Sequence, residues 1–141
     1  MKSLRTLLKI ARSDLEALRR ALADQIAKEV NLAERIQGHE QTMCSEQTFA
    51  RRDYESAPAY GGYAIAVIVV RRALAAEQAV IGEETERLRA LIAEALTEVR
   101  KFERLIELEV EREKAASRKR ENAELDEFAT IRAARVTRTM L

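Results

Sequence analysis

Leu4, Leu8, Ala11, Leu15, Leu18 and Leu22 step along the chain by four and three, the stripe that an a/d coiled-coil seam requires. Ile26, Val30, Ala33 and Ile36 continue the stripe in a slipped phase, and the pattern predicts a first helix over about residues 3–54. The single proline, Pro58, and the pair Gly61-Gly62 interrupt the pattern and predict a turn at about 55–62. Beyond it, Leu74, Ile81, Leu88, Ala95 and Phe102 recur every seven positions. Gln78, Thr85, Ile92, Val99 and Ile106 form a second sevenfold array four positions later. The two arrays make one stripe and predict a second helix over about 63–131, although the β-branched run from Ala64 to Val70 argues for an irregular start.

The expected fold is therefore all-α: a single domain, 1–141, built as a long antiparallel two-helix coiled-coil hairpin. At 1.5 Å per residue the helices would span roughly 80 and 100 Å, a rod with a narrow seam and no globular core. With the turn near residue 58, Leu4 falls opposite roughly residue 114, which leaves about 25 residues without a hairpin partner. That remainder is expected to protrude as a helical tail displaying Leu125, Phe128, Ile131 and Arg132, an arrangement that calls for a partner.

Composition agrees with a solvated helical pair: charged residues make up 35% of the chain and aromatic residues 4%, with no Trp. The net charge of +1 argues against a surface built throughout for nucleic acid or anionic lipid. Its distribution says more. Residues 1–22 carry six basic and two acidic groups, a net +4, residues 112–141 carry eight and five, a net +3, and residues 23–111 are left with −6. In an antiparallel hairpin both termini share one end, so the expectation is a basic pole on an acidic body, able to orient toward an acidic partner.

Little in the chain points to catalysis. Cys44 is the lone cysteine, so no intramolecular disulfide or Cys-based zinc site can form and a reducing compartment is expected. His39 is the lone histidine, with only Glu40 and Met43 near it, and reads as solvated or at the seam edge. The acidic clusters, Glu83-Glu84 with Glu86 and the series Glu107, Glu109, Glu111 and Glu113, have no pocket to raise their pKa values and read as solvated faces. No phosphate loop, nucleophile elbow or HExxH helix occurs. The expectation is a non-enzymatic protein with no catalytic, metal or cofactor site. Lys9, Arg12 and Asp14 break the apolar core that a signal peptide needs, and the apolar run Tyr63 to Val70 falls short of the ~20 residues that cross a bilayer. A soluble, cytoplasmic chain without membrane insertion is expected.

The order of features resembles the FliJ/YscO family of type III secretion. The carriers are the start Met1-Lys-Ser-Leu4, the segment Leu4-Arg-Thr-Leu-Leu-Lys-Ile-Ala11, the stretch Ala59-Tyr-Gly-Gly-Tyr63, the Tyr63-led second helix, and Leu125-Asp-Glu-Phe-Ala129 followed by basic residues. The resemblance spans essentially the whole chain and is most specific at Leu125 to Ala129. It implies a cytoplasmic coiled coil, peripheral at the inner-membrane export apparatus, shaped like the central stalk of a rotary ATPase and active in flagellum biogenesis and motility. The implied partners are the export ATPase hexamer, the export-gate membrane protein and export chaperones, with no nucleic acid. Contact with the ATPase ring would fall on Lys2, Arg5, Arg12, Leu125, Phe128, Arg132 and Arg135. Contact with the gate would fall on Tyr63, Ala66, Val70, Ala73 and Glu77, with Ala66 departing from the bulkier side chain common at its position. The isolated protein is expected to be a monomer. Two other readings compete: a self-associating structural coiled coil, and a nucleic-acid-binding arm, which the acidic body and sparse aromatics disfavour.

Overall fold

In the computed structural model the backbone is described for residues 2–52 and 57–140, and side chains for 2–49 and 61–140. Two helices account for all of it, α1 (Lys2–Arg52, 51 residues) and α2 (Ala57–Met140, 84 residues), packed against each other as an all-α antiparallel hairpin.

The helix boundaries differ from the sequence reading at three places. Residues 53–56, the end of the expected first helix and the start of the expected turn, lie outside the described residues. The rest of that turn is helix, because Pro58 sits in the first turn of α2, where its missing N–H would have no helical acceptor. Gly61 and Gly62 take helical dihedrals with no positive φ. The β-branched run does not break the helix either. Val67 and Leu74 are buried, and packing of this kind outweighs the few tenths of a kcal/mol per residue that branched side chains cost. At its far end α2 runs to Met140 rather than 131, with Arg138 in the last turn where a cation favours the helix dipole.

The chain forms two compact units, Met1–Arg12 with Thr97–Leu141, and Ser13–Leu96. In the second, Leu32 (2% exposed), Leu74 and Ile81 form the hydrophobic centre with Ile36 packed against it, and Leu15, Val67 and Leu88 are also buried. Ion pairs flank this seam in antiparallel order, Arg71 with Glu40 at 2.6 Å and Arg35 with Glu77 at 2.8 Å, as e/g pairs do in coiled coils. In the first unit Leu8, Ala11 and Val99 are buried and Arg12 meets Glu103 at 3.2 Å.

The phase of α1 is the main correction. Among its buried and half-buried positions, 4, 8, 11, 15, 18, 22, 25, 29, 32, 36, 39 and 43 form an unbroken alternation of four and three, flanked by half-buried Ala21, Glu40 and Gln47. The seam does not slip onto Ile26, Val30 and Ala33. Ile26 is 41% and Val30 55% exposed, and Ala33 is exposed too. It continues instead through Gln25, Glu29 and His39. The expected stripe of α2 is observed, except that Gln78 is exposed and the array begins one heptad earlier, at Val67.

Candidate interaction surfaces

The seam itself carries polar chemistry that apolar periodicity passes over. Gln25 (8% exposed) and Thr85 (2%) are its buried polar residues. Thr85 Oγ1 lies 2.6 Å from Glu29 Oε1 and 3.0 Å from the Ile81 carbonyl oxygen, and its one proton goes to the carboxylate, the shorter and charge-assisted bond. A polar pair at a/d positions has no equivalent partner one heptad away, so it fixes which turn of α1 faces which turn of α2. His39 is half-buried further along the same seam, at a d position, and its Nδ1 is buried without a hydrogen-bond partner among the described residues. Extending the strict heptad of Leu4 to Leu22 would have located Gln25, Glu29 and His39, and Thr85 already stands in the second sevenfold array of α2.

Beside the seam, Arg71 grips Glu40 through Nε at 2.8 Å and Nη2 at 2.6 Å, and that bond holds the Glu40 carboxyl below its usual range. Arg87 does the same to Glu84 one helical turn earlier, at 2.9 and 2.6 Å, which lowers Glu84 and raises Arg87. Both pairs are solvated and add little stability, and only Arg71 with Glu40, which joins the two helices, bears on their register.

The face assigned to the gate, Tyr63, Ala66, Val70, Ala73 and Glu77, lies along the start of α2. Tyr63 is half-buried, while Ala66, Val70 (41%) and Ala73 are exposed. The Glu77 carboxylate is bound by Arg35, so it is only partly available. The larger apolar exposure is at residues the sequence reading did not single out, Ile65 (68%), Ile68 (49%) and Val69 (61%). The signal was the unbroken run Ala64 to Val70: a 3.5-residue repeat turns only two positions in seven inward, here Ala64 and Val67, and leaves the others in water.

Of the residues assigned to the ring, Lys2 and Arg5 are exposed and Arg12 is committed to Glu103. Leu125 (65%), Phe128 (66%), Arg132 and Arg135 are exposed, as is every residue from 118 to 140. The structure does not gather these seven into one cluster. With Arg12 beside Glu103 in antiparallel register, Lys2 is level with about residue 113, so Leu125 lies about 12 residues, roughly 18 Å, further along α2. Charge separates as expected in sign. The unit of residues 1–12 and 97–141 holds 15 basic and 10 acidic groups, and the unit of 13–96 holds 10 and 14.

Among the described residues, no group of three or more His, Cys, Asp or Glu side chains could hold a metal ion, and no helix is long and apolar enough to cross a membrane. Cys44 is exposed. Two surfaces stand out: an apolar stripe near the start of α2, and a helical segment beyond the seam with successive blocks of charge. No protein-family model, curated protein or solved structure matches the chain.

Proposed function

We propose that the chain is a non-enzymatic coiled-coil component of a flagellar type III protein export apparatus, which binds and regulates the export ATPase ring through the end of α2. The observation that carries this reading is the stretch 118–140: helical to Met140, exposed at every residue, and displaying Leu125 and Phe128 beside Arg132 and Arg135. Side chains of that size on an uncovered helix support a binding role. The resemblance at Leu125 to Ala129 supports the ring as the partner. In the same reading the export gate takes the start of α2, where Ile65, Ile68 and Val69 add apolar area to Val70 and Ala73. Export chaperones complete the partners, at the cytoplasmic face of the inner membrane.

The test is ATPase activity and ring assembly with the full chain and with a chain ended after Glu121. The full chain should stimulate both and the shortened one neither, while their melting temperatures stay close. Stimulation by the shortened chain equal to that by the full one removes the end of α2 from the contact. For the gate, Ile68→Glu and Val69→Glu should abolish binding with helicity intact, and unchanged binding overturns that assignment.

A further inference from the structure

The charges of the C-terminal segment fall into an acidic block followed by a basic one. Elsewhere on α2 opposite charges sit three apart and pair within the helix: Glu84 with Arg87, Glu86 with Arg89, Glu98 with Lys101, Arg104 with Glu107. Between 121 and 138 they are segregated, Glu121, Glu124, Asp126 and Glu127 first, then Arg132, Arg135 and Arg138. None of the three arginines has an acidic residue within four positions on either side, and no ion pair among the described residues involves any of these seven groups.

The order is symmetric about Phe128. Seven positions before it stands Glu121 and seven after it Arg135, four before it Glu124 and four after it Arg132, three before it Leu125 and three after it Ile131. At 3.6 residues per turn all seven residues fall within an arc of roughly 120°, one face of the helix. Turned end for end, that face is its own electrostatic complement. We propose that it binds the same face of a second copy of this chain, antiparallel, with Phe128 against Phe128 on the two-fold axis and Glu121 and Glu124 against Arg135 and Arg132 of the other copy. Leu125 and Phe128 are about two-thirds exposed and Ile131 about half exposed, so the apolar centre of the contact is open to a partner. A purely acidic partner would satisfy the arginines but repel the acidic block, whereas a second copy answers both. A contact of some four helical turns is small, in the class of weak and reversible associations, so the dilute protein is monomeric and the pair forms on concentration. The inference rests on the charge order and stands independently of the ring as partner.

The test is analytical ultracentrifugation of the full chain over a wide concentration range at low salt. Apparent mass should rise toward the dimer with concentration, and added salt should reverse it. E121R/E124R, with an all-basic face, and R132E/R135E, with an all-acidic one, should each stay monomeric with unchanged circular dichroism. Their equimolar mixture should recover dimer, as should the quadruple exchange alone. A wild-type chain that stays monomeric throughout, or single-sign variants that self-associate as well as wild type, overturns the proposal. ATPase stimulation by the same variants reads out separately: R132E/R135E that loses the dimer and keeps ring stimulation removes Arg132 and Arg135 from the ring contact and leaves self-pairing standing, whereas a variant that keeps the dimer overturns self-pairing whatever it does to the ring.

Discussion

Leu32→Ala and Val30→Ala, two positions apart on α1, decide whether the seam keeps its heptad phase. Leu32 is 2% exposed and packs with Leu74, Ile81 and Ile36, whereas Val30 is 55% exposed. Removing three carbons from Leu32 forfeits about 2.4 kcal/mol of transfer free energy at about 0.8 per methylene. The space left between two rigid helices collapses only in part, which brings the cost to about 3–4 kcal/mol. Val30 loses two carbons that are already more than half in water, about 0.7 kcal/mol, and alanine returns about 0.5 through its better helix propensity. The expected difference is about 3 kcal/mol. In urea denaturation followed by circular dichroism, slopes of about 1–3 kcal/mol/M turn that into a midpoint lower by 1 M or more for Leu32→Ala and nearly unmoved for Val30→Ala. Equal shifts for the two variants, or a larger one for Val30→Ala, would mean that the seam slips after Leu22 and that Gln25 and Glu29 face water.

Gly61→Ala and Gly62→Ala should each stabilise the hairpin by about 0.5–1 kcal/mol, because both glycines are helical without positive φ and an added Cβ meets nothing within 4 Å; a loss of stability would restore them to a turn. Thr85→Ala should cost about 1–3 kcal/mol by stranding the Glu29 carboxylate, while the double variant Glu29→Leu/Thr85→Val should match or exceed wild type in denaturant, a coupling that additive losses would disprove. Acid should weaken the hairpin through Glu40 and Glu84. Both have folded pKa values below the ordinary 4.5, so their contribution is present above 4.5 and is lost as pH falls through the lowered values; Glu40→Gln should flatten that part of the pH–stability curve, and an unaltered curve would show that the Arg71 pair contributes nothing.

What the sequence conveyed well was the hairpin and the phase of α2, since five residues at sevenfold spacing, Leu74 to Phe102, leave one face to bury. It misled at α1 because Ile26 and Val30 are apolar and Gln25 and Glu29 are not, and a reading weighted by hydrophobicity follows the apolar side chains. The structure favours continuity of the helix pair. Supercoiled seams keep a strict repeat, and a polar pair that bonds across the seam, Thr85 with Glu29, disturbs it less than a change of phase would. The turn was misjudged for a related reason. Pro and Gly carry strong local preferences, yet Pro is harmless in a first turn and glycine accepts helical dihedrals where flanking turns are packed. The candidate surfaces were legible in part: Leu125 and Phe128 stood out because nothing could be placed opposite them. Ile65, Ile68 and Val69 did not, because an apolar run is normally assigned to the interior.

The unequal helix lengths, 84 residues against 51, give the exposed segment a physical advantage as a binding element. An isolated helix must first form its costly nucleus, and a segment of this length is marginal on its own in water. Here the nucleus already exists, because α2 enters the segment as a helix held by Val99 against the start of α1, and each further residue only propagates it. Ala, Glu and Arg make up ten of the 18 residues of 121–138 and propagate well. A partner that docks on Leu125 and Phe128 therefore meets a surface whose backbone is already ordered, and the association is spared the ordering free energy that a disordered tail would have to supply. Affinity can then come from a few side chains on one face. That is also why reversing two charges there, at Arg132 and Arg135, should change binding by a large factor while leaving the fold as it was.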